Sequence, residues 1–240
     1  RDRYGQKPLY FTSIKNKFIF ANEIKAILST EVDKKPNYNE LLRFMNFSQY
    51  DNGKKTLFKN IQQLGPGCYL QFNLNNNNFK IHEWYNLKAE IKKTYKKNKT
   101  FSLSQNYENL NSTLNKVSLE HCISDVPISL SLSGGLDSST LLASISDPKK
   151  NHNIRCNLIN FQGGFSEEKF VSKLTKKYNQ KYFLNTYQKK HFIEDFQKLI
   201  FDQEGFVAGL HNLAFENLYK HLNKNNMKVL LDGTGLDEAF

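Results

Sequence analysis

Two short stretches carry residue types that could handle a phosphate. The first is Ser133-Gly134-Gly135-Leu136-Asp137-Ser138-Ser139, which follows an apolar run, Val126 to Leu132, that reads as a strand. A helical pattern from Ser138 to Ser146 comes directly after it. Two glycines let a backbone turn tightly and come close to a ligand, and the start of a helix offers unpaired N–H groups and a positive dipole end to an anion. The hydroxyls of Ser133, Ser138 and Ser139 can add donors, so this loop could hold a pyrophosphate. Asp137 would repel a bare phosphate but can hold a Mg²⁺ that bridges phosphate oxygens. The segment fits neither the G-x-x-x-x-G-K-[ST] nor the G-x-G-x-x-G pattern. Its residues also suit a plain N-capped helix after a Gly-rich turn.

The second stretch is Asp232-Gly233-Thr234-Gly235-Leu236-Asp237-Glu238, placed after the strand-like Lys228 to Leu231. Alone it could be a tight turn before an acid-capped helix. In an open α/β sheet, however, ligands sit beyond the carboxyl ends of the strands, so two such loops on neighbouring strands would face one site. Asp137 and Asp237 could then share Mg²⁺.

The elements that must position these loops alternate. After a helical face of Tyr107, Leu110, Leu114 and Val117 come the first strand and helix, a strand from Ile154 to Phe161 and a helix from Glu167 to Tyr178. A short strand over Lys181 to Thr186, helices over Phe192 to Phe201 and Asn212 to Leu222, and the final strand complete the series. This order predicts an α/β doubly wound parallel sheet over 103–240. Residues 1–85 read differently, as an α+β part. Pro8 to Phe11 and Phe18 to Ala21 form a hairpin, Asn22 caps a helix carrying Ile24, Ile27 and Leu28, and Tyr38 to Phe47 is helical. The turn Gly65-Pro66-Gly67 feeds a second pair of strands, Cys68 to Leu74 and Phe79 to Trp84. Between the two parts, 86–102 is rich in lysine without an apolar stripe and reads as a solvated linker.

Composition removes several other functions. Lys and Arg number 34 against 23 Asp and Glu, a net charge of +11, but the charge is spread along the chain and arginine occurs only at Arg1, Arg3, Arg43 and Arg155. Arg supplies the bidentate fork of base and phosphate readout, so this balance argues for compositional bias and against a nucleic-acid partner. No apolar run approaches the ~20 residues of a membrane span, and the first residues lack a signal-peptide core, so a cytoplasmic protein is expected. Cys68, Cys122 and Cys156 are odd in number and widely spaced, which disfavours a disulfide framework or a metal site, and the six histidines form no close ligand pair. Asp202, Glu204, His211 and Asn212 could face an acceptor substrate or be solvated loop residues.

Together the two loops resemble the asparagine synthetase family, whose synthetase domain carries SDVP, then SGG-x-DSS, then SGEG-x-DE. This chain has Ser124-Asp125-Val126-Pro127, Ser133 to Ser139, and Asp232 to Glu238 in that order. Arg1-Asp2-Arg3-Tyr4-Gly5-Gln6-Lys7-Pro8-Leu9-Tyr10, Ala21 to Ala26 and Leu64-Gly65-Pro66-Gly67 are similar to segments of the family's glutaminase domain. The resemblance implies the end of an N-terminal nucleophile hydrolase (αββα) domain over 1–85, joined to an ATP pyrophosphatase domain. It also implies the activity: ATP adenylates a carboxylate, aspartate first among candidates, with release of AMP and pyrophosphate, and glutamine-derived ammonia amidates it. A surface-sugar or natural-product carboxylate, or a non-catalytic nucleotide-binding relic, is the alternative.

Carried over position by position, the resemblance places Leu132, Ile159, Asp232 and Gly233 at adenine or ribose. Ser133, Gly134, Gly135, Asp137, Ser138 and Ser139 fall at pyrophosphate and metal, Asp237 is the second Mg²⁺ carboxylate, and Asp2 is a glutamine-site residue. The implied partners are small molecules, namely ATP, the acceptor, and glutamine or ammonia; a homodimer is compatible. Three departures stand out. The family's N-terminal Cys would precede Arg1, its acid/base Glu is replaced by Thr234, and its later catalytic Lys lies beyond Phe240, so this stretch alone is expected to be inactive.

Overall fold

The computed structural model describes residues 1–49, 52–98, 100–146, 154–161, 166–207, 209 and 211–235. The chain divides into two compact units, Arg1–Thr100 with Ile200–Ala208, and Phe101–Leu199 with Gly209–Phe240.

In the first unit, β1 (Tyr10–Ile14) and β2 (Lys17–Ala21) form the expected hairpin, with Tyr10 opposite Ala21. A two-residue strand, β3 (Gln62–Gln63), pairs with the free side of β1. The second hairpin is β4 (Cys68–Asn73) with β5 (Asn78–Glu83). Phe18 of the first hairpin stacks on Phe72 of the second, their ring centroids 4.6 Å apart. Ile24 and Ile27 of α1 (Ile24–Leu28) pack with Val32 and Ile61, and α2 (Tyr38–Phe47) follows. Part of the stretch read as a linker is a helix, α3 (Leu87–Asn98). The Asn86 side chain caps it by accepting from the amide of Ala89 at 2.9 Å, and its described side chains are exposed. Lys, Ala and Glu favour helix without needing an apolar stripe, which is why periodicity missed it.

The second unit begins with α4 (Leu103–His121), whose start is fixed by a reciprocal cap between Ser102 and Gln105. Then come β6 (Ile128–Ser131), α5 (Leu136–Ile145), β7 (Arg155–Phe161), α6 (Glu168–Lys177) and β8 (Tyr182–Tyr187). Helices α7 (Phe192–Gln203) and α8 (His211–Lys224) lead to β9 (Val229–Leu231). The four strands are parallel in the order β8-β7-β6-β9. Alternation sorts their side chains onto two faces. Leu130, Leu132, Cys156 and Leu158 meet Leu142 and Ile145 of α5 and Val171 of α6. On the opposite face Ile159 and Leu230 meet Leu218 and Leu222 of α8. Each fully buried Leu, Ile or Val among them contributes about 1.5–3 kcal/mol relative to exposure, whereas Ile159 and Leu230 are only partly buried. The chain steps outward from β6 to β8 and then returns to lay β9 on the other side of β6. The strand order therefore reverses between β6 and β9, the place where an open α/β sheet leaves a crevice at its carboxyl edge.

Candidate functional site

Both Gly-rich loops leave the carboxyl ends of these two neighbouring strands. The loop after β6 is locked by one buried hydroxyl. Ser138 Oγ accepts from the amide of Ser133 at 3.0 Å, donates to the Ser133 carbonyl at 3.0 Å, and lies 2.8 Å from Ser133 Oγ. Ser139 Oγ donates to the Gly135 carbonyl at 2.6 Å, and the Gly135 amide donates to Ser133 Oγ at 3.3 Å. The serine hydroxyls thus serve the loop's shape. Helix α5 starts at Leu136, two residues before the sequence pattern suggested, and no side chain caps it. The first turn of a helix leaves amides without intrahelical partners, and Asp137 is the acidic residue of this turn.

The loop after β9 comes directly against this turn. A Cβ added at Gly233 would lie 2.9 Å from Asp137 Cβ and 2.9 Å from the Ser138 amide nitrogen, so only glycine permits the approach. Asp232 Oδ1 accepts from the Thr234 amide at 3.0 Å, and Gly235 takes a φ of 97° that favours glycine. Burial, and after it the neighbouring Asp232 carboxylate, raise the Tyr219 phenol above its usual pKa. Tyr219, on α8, is therefore a neighbour of the loop that spacing alone did not single out. A cavity of about 200 Å³ opens beside Asp232, Gly233 and Thr234, between α4 and α5. Asp237 lies outside the described residues. Among the described residues no group of three His, Cys, Asp or Glu side chains could cage a metal. The Asp137 carboxylate is an oxygen donor of the type that would hold a Mg²⁺.

The remaining expected residues separate. Leu132 is buried, and its amide donates to the Asn157 carbonyl at 2.8 Å, so that N–H belongs to the sheet. Ile159 packs on the α8 face. In the first unit, Asp2 accepts from the amides of Tyr4 (3.1 Å), Gln6 (3.0 Å) and Lys7 (3.0 Å). These bonds, that of Lys7 foremost, lower its pKa to about 2. The carboxylate is engaged in its own turn. Asn22 does not cap α1; its side chain donates to the Pro8 carbonyl instead. The cap comes from Glu204, which accepts from the amides of Ile24 at 2.6 Å and Lys25 at 2.7 Å. No local pattern could reveal a cap 180 residues away. Burial raises the Cys156 thiol to about 11 and shifts Cys122 the same way, so both are protonated packing residues.

Comparison with known proteins adds identity to geometry. A family described as asparagine synthase matches residues 109–240, and one described as a glutamine amidotransferase domain matches residues 1–85. An asparagine synthetase of Bacillus subtilis, named as glutamine-hydrolyzing, is 30% identical over 99% of this chain and 33% of its own length. A putative enzyme of the same name in Methanocaldococcus jannaschii is 27% identical over the whole chain and 45% of its own length. A Penicillium rubens protein named amidase chyE is 23% identical over the whole chain and 37% of its length. The chain thus spans a third to a half of the length of these relatives.

Proposed function

Because the chain belongs to the asparagine synthase family, we propose that the protein carrying it is an ATP-dependent amidotransferase that activates a carboxylate and amidates it with glutamine-derived ammonia. The observation that carries this reading is the meeting of two loops at the strand-order reversal, with Gly233 against the backbone of Asp137 and Ser138. An acceptor carboxylate oxygen attacks the α-phosphorus of ATP and pyrophosphate leaves. Ammonia then attacks the acyl carbon, loses a proton, and displaces AMP. The amides of the first turn of α5 and the Ser133–Gly135 backbone would receive the pyrophosphate, and hydrogen bonds already made to a departing anion lower the barrier. Mg²⁺ held by Asp137, with Asp237, would neutralise part of that charge. Leu132, Ile159, Asp232 and Gly233 would border adenine and ribose. The first unit is read as the end of the glutaminase domain, with Asp2 in a turn supporting it.

Aspartate is the first acceptor to test. Thr234 favours keeping a second: threonine cannot serve as a general base near neutral pH, so the amine proton must leave by another group or the acceptor differs. A carboxylated sugar or natural-product precursor fits that difference. The test is ATP–pyrophosphate exchange by the complete protein across aspartate and such acceptors. Acceptor-dependent exchange is expected. Its absence with every acceptor, while ATP still binds, would replace the enzyme by a nucleotide-binding relic.

A further inference from the structure

The amino ends of β7 and β8 lie at the end of the sheet opposite to the two Gly-rich loops. Cys156 pairs with Tyr182, and the Cys156 amide donates to the Lys181 carbonyl at 3.2 Å, so the same register sets Arg155 beside Lys181. Cys156 and Tyr182 belong to the cluster with α5 and α6, and alternation therefore puts Arg155, Lys181 and Phe183 on the α8 face. The Phe183 ring agrees, its centroid 6.3 Å from that of His221 on α8. These three residues, with Ile154, Asn179 and Gln180, line a cavity of about 530 Å³.

Two cations thus stand side by side on neighbouring strands, and no carboxylate is among the residues that line the cavity. Among the described residues neither has an ion pair. The chain's other arginines are engaged: Arg1 donates to the carbonyls of Lys7 and Leu64, Arg3 lies over the Tyr85 ring, and Arg43 pairs with Glu40. Like charges set directly opposite each other are destabilising, and an anion shared between them removes that cost. Arginine brings a planar fork for an oxyanion and lysine a point charge. A carboxylate would bring one negative charge to two cations, whereas a phosphate monoester carries close to two on a single group. The cavity has the size of a small-molecule site, with room beyond the phosphate. Phe183 and the buried Ile154 give that room an apolar wall, and the carboxamides of Asn179 and Gln180 offer further N–H donors.

We propose that this cavity, apart from the nucleotide crevice, binds a small organic phosphate monoester, its phosphate bridging Arg155 and Lys181 and its carbon part resting on Phe183. The probe is phenyl phosphate, titrated by calorimetry at low salt into the complete protein, unaltered and as Arg155→Gln and Lys181→Gln, with inorganic phosphate and benzoate titrated alongside. Phenyl phosphate is expected to bind the unaltered protein more tightly than either comparison anion. Each substitution should weaken that binding about 10- to 100-fold and leave ATP affinity unchanged. Any phenyl phosphate taken up by the crevice is common to all three proteins, so the difference between them reports this cavity alone. Because each substitution also removes a repulsion, the Tm of both variants without ligand should equal or exceed that of the unaltered protein, which shows them folded. No binding by the unaltered protein, or equal binding by all three, would overturn the site. A parallel loss of ATP affinity would overturn its separation from the crevice. Inorganic phosphate or benzoate binding as tightly as phenyl phosphate would overturn the monoester in favour of the free ion or of a carboxylate.

Discussion

The two units handle clusters of backbone N–H groups in opposite ways. In the first, the chain fills them with its own carboxylates: Asp2 takes three amides of one turn, and Glu204 takes the first two of α1. In the second, the amides opening α5 have no side-chain cap, and the nearby hydroxyls are turned inward on the loop. A filled cluster is architecture, whereas one without a side-chain cap at a strand-order reversal is what the proposed function uses to receive an outside anion. Acidic residues in the two units therefore differ: Asp2 and Glu204 are engaged by backbone amides, whereas Asp137 is the one the proposed function gives to an ion.

The sharpest way to break this contrast is to separate the two loops of the second unit. Gly233→Val drives side-chain carbon into the Asp137–Ser138 backbone. ATP affinity of the complete protein should fall about 10- to 100-fold as the opening turn of α5 shifts. Circular dichroism should still report the sheet; unchanged affinity would mean that the second loop does not shape the site. Next in size is Ser138→Ala, which strips the loop of its lock and leaves the Ser133 amide and carbonyl unmet. A loss of about 1–3 kcal/mol in urea denaturation is expected, together with weaker ATP binding. Ser138→Thr, which keeps the hydroxyl, should recover most of both.

The filled clusters predict stability effects without nucleotide effects. Glu204→Ala removes the distant cap of α1 and should cost about 0.5–2 kcal/mol, with ATP affinity unchanged. A nucleotide defect in that variant would blur the distinction between the units. The smallest effect belongs to Asp2. Its folded pKa, about 2, lies below the ordinary 3.8, so its contribution is complete above the ordinary value and is lost as pH falls through about 2. Asp2→Asn should lower stability near neutrality, because an amide N–H₂ would face a backbone donor, and should flatten the acid limb of the stability curve. An acid limb as steep as in the unaltered protein would assign it to other carboxylates.

The order of strands and helices in the second unit was legible because apolar alternation and Gly-rich breaks are local signals, and both loops could be located before any coordinates. What they do with their atoms was not. The sequence singled out Ser133, Ser138 and Ser139 as possible donors, but not the bonds their hydroxyls make within the loop, since those depend on which groups the folded backbone brings nearest. Asn22 had the right residue type for a cap, yet Glu204 provides it, because the partner arrives by tertiary contact from the far end of the chain. The α3 helix lacked the apolar stripe on which helix recognition depends, and β3 is too short to carry a period.

The return of the chain to lay β9 beside β6 also fixes when the crevice can exist. Ile128 pairs with Val229, partners separated by roughly 100 residues, and contacts so distant in sequence are the slow ones to form. During synthesis the loop after β6 leaves the ribosome well before its companion does. It would wait, with the amides of α5 facing water, until nearly the whole of this stretch has been made. A nucleotide can be gripped from both sides only after that closing step, so ATP should act late in folding, by retarding the unfolding of an assembled sheet and not by hastening its assembly.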